Sequence, residues 1–131
     1  MKVLLSIKPE FVKKIFSGEK KFELRKSIFK DKRVSSVVIY ASSPLMRIVG
    51  EFTIKDILSC EVNKMWDIVR MEAGVSEQFY NSYFKGKHIA FAIQIGKVKR
   101  YMTPKTLADY NIRKAPQSFC YLTNNKSKKI K

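Results

Sequence analysis

The segment of residues 17–26, Ser-Gly-Glu-Lys-Lys-Phe-Glu-Leu-Arg-Lys, places Lys20, Glu23 and Arg25 close together as a set of mixed charge. In this segment Lys20 and Arg25 can donate hydrogen bonds to a phosphate or a base carbonyl, while Glu23 can accept from a base amino group or orient Arg25. The same residues could perform catalysis, with Glu23 as general base and Lys20 and Arg25 stabilising negative charge that develops on the substrate. The spacing therefore predicts a site for a polar ligand and leaves binding and catalysis both open.

The elements around these residues follow from hydrophobic periodicity. Residues 3–8 alternate as a strand, Pro9 begins a helix with an apolar stripe that ends at Gly18, and residues 20–26 alternate again. Since successive side chains of a strand point to opposite faces, Glu23 shares one face with Arg25. A strand, a helix and a second strand thus position the charged set.

Further along the chain the pattern is one of short strands and short helices. Strands are predicted over residues 34–41, 47–55, 89–100 and 116–122, with a bulge at Gly96, and helices are predicted after the N-caps Asn63 and Ser76 and over residues 106–110. About six mostly antiparallel strands with short helices inserted indicate the α+β class and a small closed β-barrel.

The aromatic residues of the second inserted helix have two interpretations. Phe79, Tyr80, Tyr83 and Phe84 recur at helical spacing, which is typical of residues that pack into a core. The alternative is a platform on which nucleic-acid bases stack, although such platforms are more often built on strands or loops. We therefore predict core packing. Whether residues 63–86 cover the site as a lid or pack beside it stays open.

The charge balance points to a polyanionic partner. The 131 residues include 27 Lys and Arg against 11 Asp and Glu, a net charge of +16. A charge of +12 remains after the four lysines of the tail, residues 123–131, are subtracted, so a basic face on the domain is favoured over a basic tail alone. A generally basic protein with no such partner is the simpler alternative. Charge alone does not distinguish RNA from DNA.

Cysteine and histidine are too few for a structural zinc site. The chain has two cysteines, Cys60 and Cys120, and one histidine, His88, so we expect neither a metal nor another cofactor. The sequence shows neither a signal segment nor an apolar run long enough to span a bilayer, which predicts a cytoplasmic protein with reduced thiols and no membrane partner.

The pattern Gly18-x-Lys20-x-x-Glu23-x-Arg25, at the junction of a helix and a strand, resembles the signature of ASCH domains, members of the PUA-like β-barrel superfamily. The resemblance extends over nearly the whole chain. Its other elements are Leu5-Ser6-Ile7-Lys8-Pro9, Tyr40-Ala41-Ser42-Ser43 and Pro116-Gln117-Ser118-Phe119.

This resemblance implies one PUA-like domain over residues 1–122, with a cleft that binds RNA or a modified nucleotide, followed by a basic, disordered tail over residues 123–131. The predicted ligand-binding residues are Lys8, Lys20, Glu23, Arg25, Ser42, Ser43, Gln117 and Ser118.

Two other functions are compatible with the sequence. Some members of the family hydrolyse acetylated cytidine and others are ribonucleases, so one alternative is a metal-independent hydrolase of RNA or a modified nucleoside, with Glu23 and Lys20 as catalytic residues. In the amidohydrolase branch a threonine nucleophile stands where this chain has Glu23, and a carboxylate cannot replace that hydroxyl in the same mechanism. The other alternative is a protein-interaction or transcription-cofactor module. If neither holds, Glu23 and Arg25 form a solvated ion pair and Lys20 is one more surface lysine.

Overall fold

A computed structural model describes residues 1–122, and the predicted basic tail lies outside the described residues. The strands are β1 (Lys2–Ile7), β2 (Phe22–Arg25), β3 (Ser36–Ala41), β4 (Arg47–Glu61), β5 (Ile89–Lys105) and β6 (Phe119–Leu122). The helices are α1 (Pro9–Ser17), α2 (Val62–Val69), α3 (Glu77–Tyr83) and a 3₁₀ helix (Ala108–Tyr110). None of the helices in these residues is long and apolar enough to cross a membrane.

The six strands form one sheet in the order β2-β5-β4-β3-β1-β6. Only β1 and β3 pair in parallel, and the other neighbours are antiparallel. The predicted α+β fold of about six mostly antiparallel strands with short inserted helices is therefore confirmed. The ends of the sheet approach each other, since the Arg25 side chain of β2 donates a 2.9 Å hydrogen bond to the carbonyl of Ser118, next to β6.

Two apolar clusters hold the elements together near the charged set. The first packs α1 against the sheet and includes Val3, Ile15 and Ile93, all at most 1% exposed. The second packs α2 and α3 against β2 and β5 and includes Phe22 and Tyr80. The second cluster covers the face of β2 that carries Phe22 and Leu24, and Glu23 between them is buried as well.

The structure confirms two of the predictions about single residues, a bulge and a helix cap, and corrects a third. The bulge at Gly96 is confirmed, because Gly96 and Lys97 together face Thr53 between two regular pairs, and a Cβ on Gly96 would lie 2.5 Å from the Thr53 hydroxyl oxygen. Ser76 caps α3 through a 3.0 Å bond from the Phe79 amide. The predicted N-cap Asn63 is wrong: α2 starts at Val62, two residues earlier than that cap implies and directly where β4 ends, and no side chain caps it.

The loop between α2 and α3, residues 70–76, is held down by lysines from the start of the chain. The Lys21 amide donates to Glu72 O at 2.7 Å, the Lys20 ammonium to Ala73 O at 2.6 Å, and the Lys14 ammonium to Gly74 O at 3.0 Å. Three hydrogen bonds from one stretch of the chain thereby fix the position of the inserted helices over β2.

We predict that Gly74→Ala destabilises the protein more than Gly86→Ala. Both glycines have positive φ, +70° and +82°, so both substitutions carry a backbone cost of about 1–2 kcal/mol. At Gly74 the new Cβ would also lie 2.9 Å from the Cβ of Lys20, whereas at Gly86 it meets nothing within 4 Å. Overpacking should add about 1–3 kcal/mol at Gly74, measured by urea unfolding. Equal losses for the two variants would contradict the tight contact.

Candidate functional site

A cavity of about 300 Å³ lies where the C-terminal end of β1, the start of α1, strand β2 and helix α3 meet. Its charged and polar lining comes from the start of the chain and from the segment before β6, and its apolar wall comes mostly from α1 and α3. The lining residues are Ser6, Ile7, Lys8, Phe11, Lys20, Glu23, Leu24, Arg25, Phe79, Ser82, Tyr83 and Gln117. We call this space the triad cavity.

The cavity is named for Lys20, Glu23 and Arg25, which form a chain of alternating charges, hereafter the triad. One Glu23 oxygen, Oε2, lies 3.2 Å from Arg25 Nη1, and the other, Oε1, lies 3.9 Å from Lys20 Nζ. Lys20 is 2% exposed and Glu23 5% exposed. The alternative of a solvated surface ion pair is therefore wrong, because these charges are buried and depend on one another.

Arg25 also joins the two ends of the sheet. Its Nη2 donates to Ser118 O at 2.9 Å, and its Nη1 makes a longer contact, 3.5 Å, to Ser6 O at the end of β1. The planar guanidinium thus contacts two backbone carbonyls and the Glu23 carboxylate at once, a geometry that an ammonium cannot reproduce. It takes the place of the backbone ladder that is absent between β2 and β6.

The environment of Lys20 opposes its positive charge. Burial lowers the pKa of this ammonium, Glu23 partly offsets the shift, and Lys14 lowers the pKa further. The ammonium donates to Ala73 O and lies 4.9 Å from the centre of the Phe11 ring. Both contacts, like Glu23, favour the charged form of Lys20 and so oppose the effect of burial. Lys20 is thus both a structural anchor for the loop after α2 and a donor at the floor of the cavity.

Aromatic rings form one wall of the cavity. Phe79 and Tyr83, one turn apart on α3, stack with their centroids 5.8 Å apart and their planes 12° from parallel, and Phe11 meets Phe79 edge-on. A lysine lies over each stacked ring: Lys8 Nζ is 5.6 Å from the centre of Phe79, and Lys26 Nζ is 4.6 Å from that of Tyr83. Burial raises the pKa of Tyr83, so its hydroxyl stays protonated and donates to Leu24 O.

The structure brings together most, but not all, of the residues that the sequence predicts for the site. Five line the cavity: Lys8, Lys20, Glu23, Arg25 and Gln117.

The predicted serines lie elsewhere. Ser118 contributes its carbonyl to Arg25, while its hydroxyl lies 3.3 Å from that of Ser27 and does not line the cavity. Ser42 and Ser43 follow β3, where the Ser42 amide donates to Ile7 O, and neither lines the cavity.

Sequence reasoning missed the aromatic wall. We predicted core packing for the aromatic residues of α3, and this is correct for Tyr80 and Phe84, which are 1% and 2% exposed. Phe79 and Tyr83 line the cavity, and Tyr83 also packs against the edge of the second cluster, so core packing holds for it in part. Their spacing of four residues, one position out of phase with the buried pair, is the signal that separates the two sets.

Within residues 1–122 no group of three His, Cys, Asp or Glu side chains comes together that could hold a metal ion. The cavity instead combines a buried carboxylate, a buried ammonium, a partly buried guanidinium and aromatic faces. These groups are suited to hydrogen-bond and stack on a planar polar molecule.

The fold and this cavity define a small α+β domain with a ligand-sized cavity beside its Gly-x-Lys-x-x-Glu-x-Arg segment. The sequence profile of the ASCH domain matches residues 5–99. The chain belongs to the ASCH domain family, as the motif predicted.

Relatives and solved structures agree with this assignment. An ASCH domain-containing ribonuclease of Zymomonas mobilis is 31% identical over 130 residues, covering 97% of this chain and 88% of that protein. The crystal structure of ASCH from Zymomonas mobilis superimposes with a TM-score of 0.86 at 30% identity, covering 98% of this chain and 92% of that one. The N-terminal domain of Staphylothermus marinus McrB, at 13% identity and a TM-score of 0.52, shares the fold alone.

Another relative is much longer than this chain. The large ribosomal subunit protein uL22 of Ureaplasma parvum is 28% identical over 120 residues, which cover 92% of this chain. The chain spans 39% of the length of that relative.

We predict that Arg25→Lys lowers the free energy of unfolding by about 1–3 kcal/mol, because the shorter, unforked side chain cannot contact Glu23 and both carbonyls together. Urea denaturation measures the loss. The matched control is Arg33→Lys, since the Arg33 side chain is 76% exposed and pairs only with Asp31. This control should leave the unfolding midpoint nearly unchanged. Equal effects of the two variants would show that Arg25 does not hold the ends of the sheet together.

We predict that the stability of the native protein relative to Lys20→Met increases from pH 7 to pH 10. In the folded state the pKa of the Lys20 ammonium is lower than its value in the unfolded state, which is near 10.5. The cost of burying the charge is therefore fully present below the folded pKa and disappears as the pH rises towards 10.5. Urea denaturation of both proteins at each pH tests this, with the exposed Lys13→Met as a control for the loss of one charge. A constant or shrinking difference would contradict the lowered pKa.

Proposed function

We propose that this ASCH domain binds single-stranded RNA, or a nucleotide of it, in the triad cavity. The observation that carries the proposal is a cavity with the triad at its floor, aromatic rings on its wall and, at its edge, two lysines that form no ion pair with any described residue. Buried charges of both signs can bind the hydrogen-bonding edge of a base, and aromatic faces can stack on its ring. Each of these features is expected of a site for an unpaired nucleotide.

Two exposed lysines beside the aromatic wall support a phosphate backbone as part of the ligand. Lys8 and Lys26 are exposed, and within the part of the chain that the structure describes neither forms an ion pair. Their ammonium groups lie over Phe79 and Tyr83, so phosphates bound there would flank a base stacked on the same wall. The net charge of +16 adds attraction that does not depend on sequence.

The size of the cavity favours a single nucleotide. A volume of about 300 Å³ is at the lower limit for ligand pockets, which range from about 300 to 1,000 Å³. A duplex could not enter, whereas one unstacked base could, with its sugar at the opening. The relative from Zymomonas mobilis named as a ribonuclease also supports an RNA ligand.

We predict that Lys8→Ala weakens the binding of a labelled single-stranded RNA several-fold and makes the slope of log affinity against log salt shallower by about 0.7, the contribution of one phosphate contact. Fluorescence anisotropy across a salt series measures both. Lys13→Ala is the matched control, because Lys13 is an exposed lysine of α1, the helix that follows Lys8, and does not line the cavity. Equal effects of both variants, or equal binding of heparin, would mean general electrostatic attraction and would leave the interaction-module alternative.

A second candidate function is RNA cleavage, favoured by the ribonuclease name of the 31% identical relative and by the position of Glu23 in the cavity. In this scheme Glu23 takes the proton of a ribose 2′-hydroxyl and the 2′-oxygen attacks the adjacent phosphorus. The bond from phosphorus to the 5′-oxygen of the next nucleotide breaks, and that oxygen takes a proton from water. Lys20 stabilises the developing negative charge. Residues 1–122 supply a base and cations for this step.

Cleavage is tested by incubating the native protein and Glu23→Gln with labelled RNA in the presence of EDTA. Loss of cleavage with retention of binding in Glu23→Gln would establish an enzyme with Glu23 as its base. Intact RNA with the native protein would leave a binding domain. A thermal unfolding curve of the variant checks that it is folded, because removing one member of a buried ion set costs about 3–5 kcal/mol.

A further inference from the structure

The floor of the triad cavity carries a buried oxygen without a hydrogen bond. Glu23 Oε2 accepts from Arg25 Nη1, but Oε1 accepts no hydrogen bond from any described residue, and its nearest cation, Lys20 Nζ, is 3.9 Å away. The Glu23 side chain is only 7% exposed. Buried carboxylate oxygens are normally hydrogen-bonded, and one left unpaired is costly. A ligand that donates an N–H group to Glu23 would remove this cost.

The neighbouring Lys20 ammonium has N–H donors that lack an acceptor among the described residues. Lys20 carries three N–H groups and makes one hydrogen bond among the described residues, to Ala73 O at 2.6 Å. The rest of its surroundings are Phe11, at 4.9 Å from the ring centre, and the distant Glu23 oxygen. A ligand acceptor atom beside the N–H groups that face Glu23 would complete the shell of Lys20.

We infer, on the basis of the proposed function, that the triad cavity prefers a guanine base. The Watson–Crick edge of guanine presents one carbonyl acceptor followed by two adjacent N–H donors, N1–H and the N2 amino group. The two donors match the Glu23 carboxylate, in which Oε2 can accept a second bond beside that of Arg25, and the carbonyl O6 matches Lys20. One guanine base would thus supply hydrogen-bond partners for both Glu23 Oε1 and the Lys20 ammonium.

The other bases fill the site less completely. Uracil has a single N–H between two carbonyls, one of which would face the carboxylate. Cytosine and adenine have one amino group next to a ring nitrogen acceptor, so the second Glu23 oxygen would meet a lone pair. A correctly placed bidentate pair discriminates by roughly five- to hundredfold against the wrong base. A purine also offers Phe79 and Tyr83 a larger stacking surface than a pyrimidine does.

The test uses labelled pentanucleotides UUNUU in which N is G, inosine, A, C or U, with affinity measured by fluorescence anisotropy on the full chain. We expect the G form to bind about tenfold more tightly than the A, C and U forms. Inosine lacks only the N2 amino group, so it should lose most of the advantage. Equal affinities, or tighter binding of A, C or U, would overturn the inference.

Two variants test whether Glu23 is the residue that causes the preference for guanine. Glu23→Gln replaces one acceptor oxygen with a donor, so the affinities for G and the other bases should converge to within about twofold. Glu51→Gln is the matched control: Glu51 is paired with Lys2 and Tyr101 outside the cavity, and the preference should persist. A preference that survives Glu23→Gln refutes the assignment, and the comparison of G with inosine decides the question even if Glu23→Gln does not fold.

The same data separate this inference from the proposed function. If all pentanucleotides bind equally and Lys8→Ala weakens them all, RNA binding in the cavity stands and the guanine preference fails. If no pentanucleotide binds, both fail.

Discussion

The buried Arg25–Glu23 contact, 3.2 Å between Nη1 and Oε2, is the interaction on which both the fold and the site depend. The ends of the sheet do not pair through backbone hydrogen bonds, so the Arg25 guanidinium joins β2 to the segment before β6. Its positive charge is tolerated at 11% side-chain exposure because Glu23 lies beside it. Glu23 in turn lies near Lys20, whose ammonium fixes the loop that carries α3 over β2.

This arrangement makes the site rigid before any ligand arrives. The triad side chains are held by backbone carbonyls and by each other. The aromatic residues of the wall lie on α3, and Tyr80 of the same helix is buried in the second cluster and holds the helix in place. Groups fixed in this way bind without further ordering, which strengthens the interaction with a ligand of matching shape. Among the described residues the triad still has donors and an acceptor oxygen without a hydrogen-bond partner, and its three members line the cavity.

Sequence reasoning succeeded where local chemistry decides the structure. Pro9 at the start of α1, the Ser76 cap and the Gly96 bulge all follow from the properties of single residues and their neighbours. It failed at Asn63, where a continuous path from β4 into α2 outweighs the capping preference. Ser42 and Ser43 were grouped with the site because they end a strand, but that strand end lies outside the cavity.

The sequence by itself determined the family, the class of fold and the identity of the triad, because a strand's alternation and a motif at a helix-to-strand junction are local properties. Only the tertiary structure decided that Lys20 and Glu23 are buried, that Lys20 anchors a loop more than fifty residues away in sequence and that Phe79 and Tyr83 line the cavity. These facts depend on which distant segments meet. Burial in turn sets the strength of every charge interaction, since a charge pair removed from water is screened far less than one at the surface.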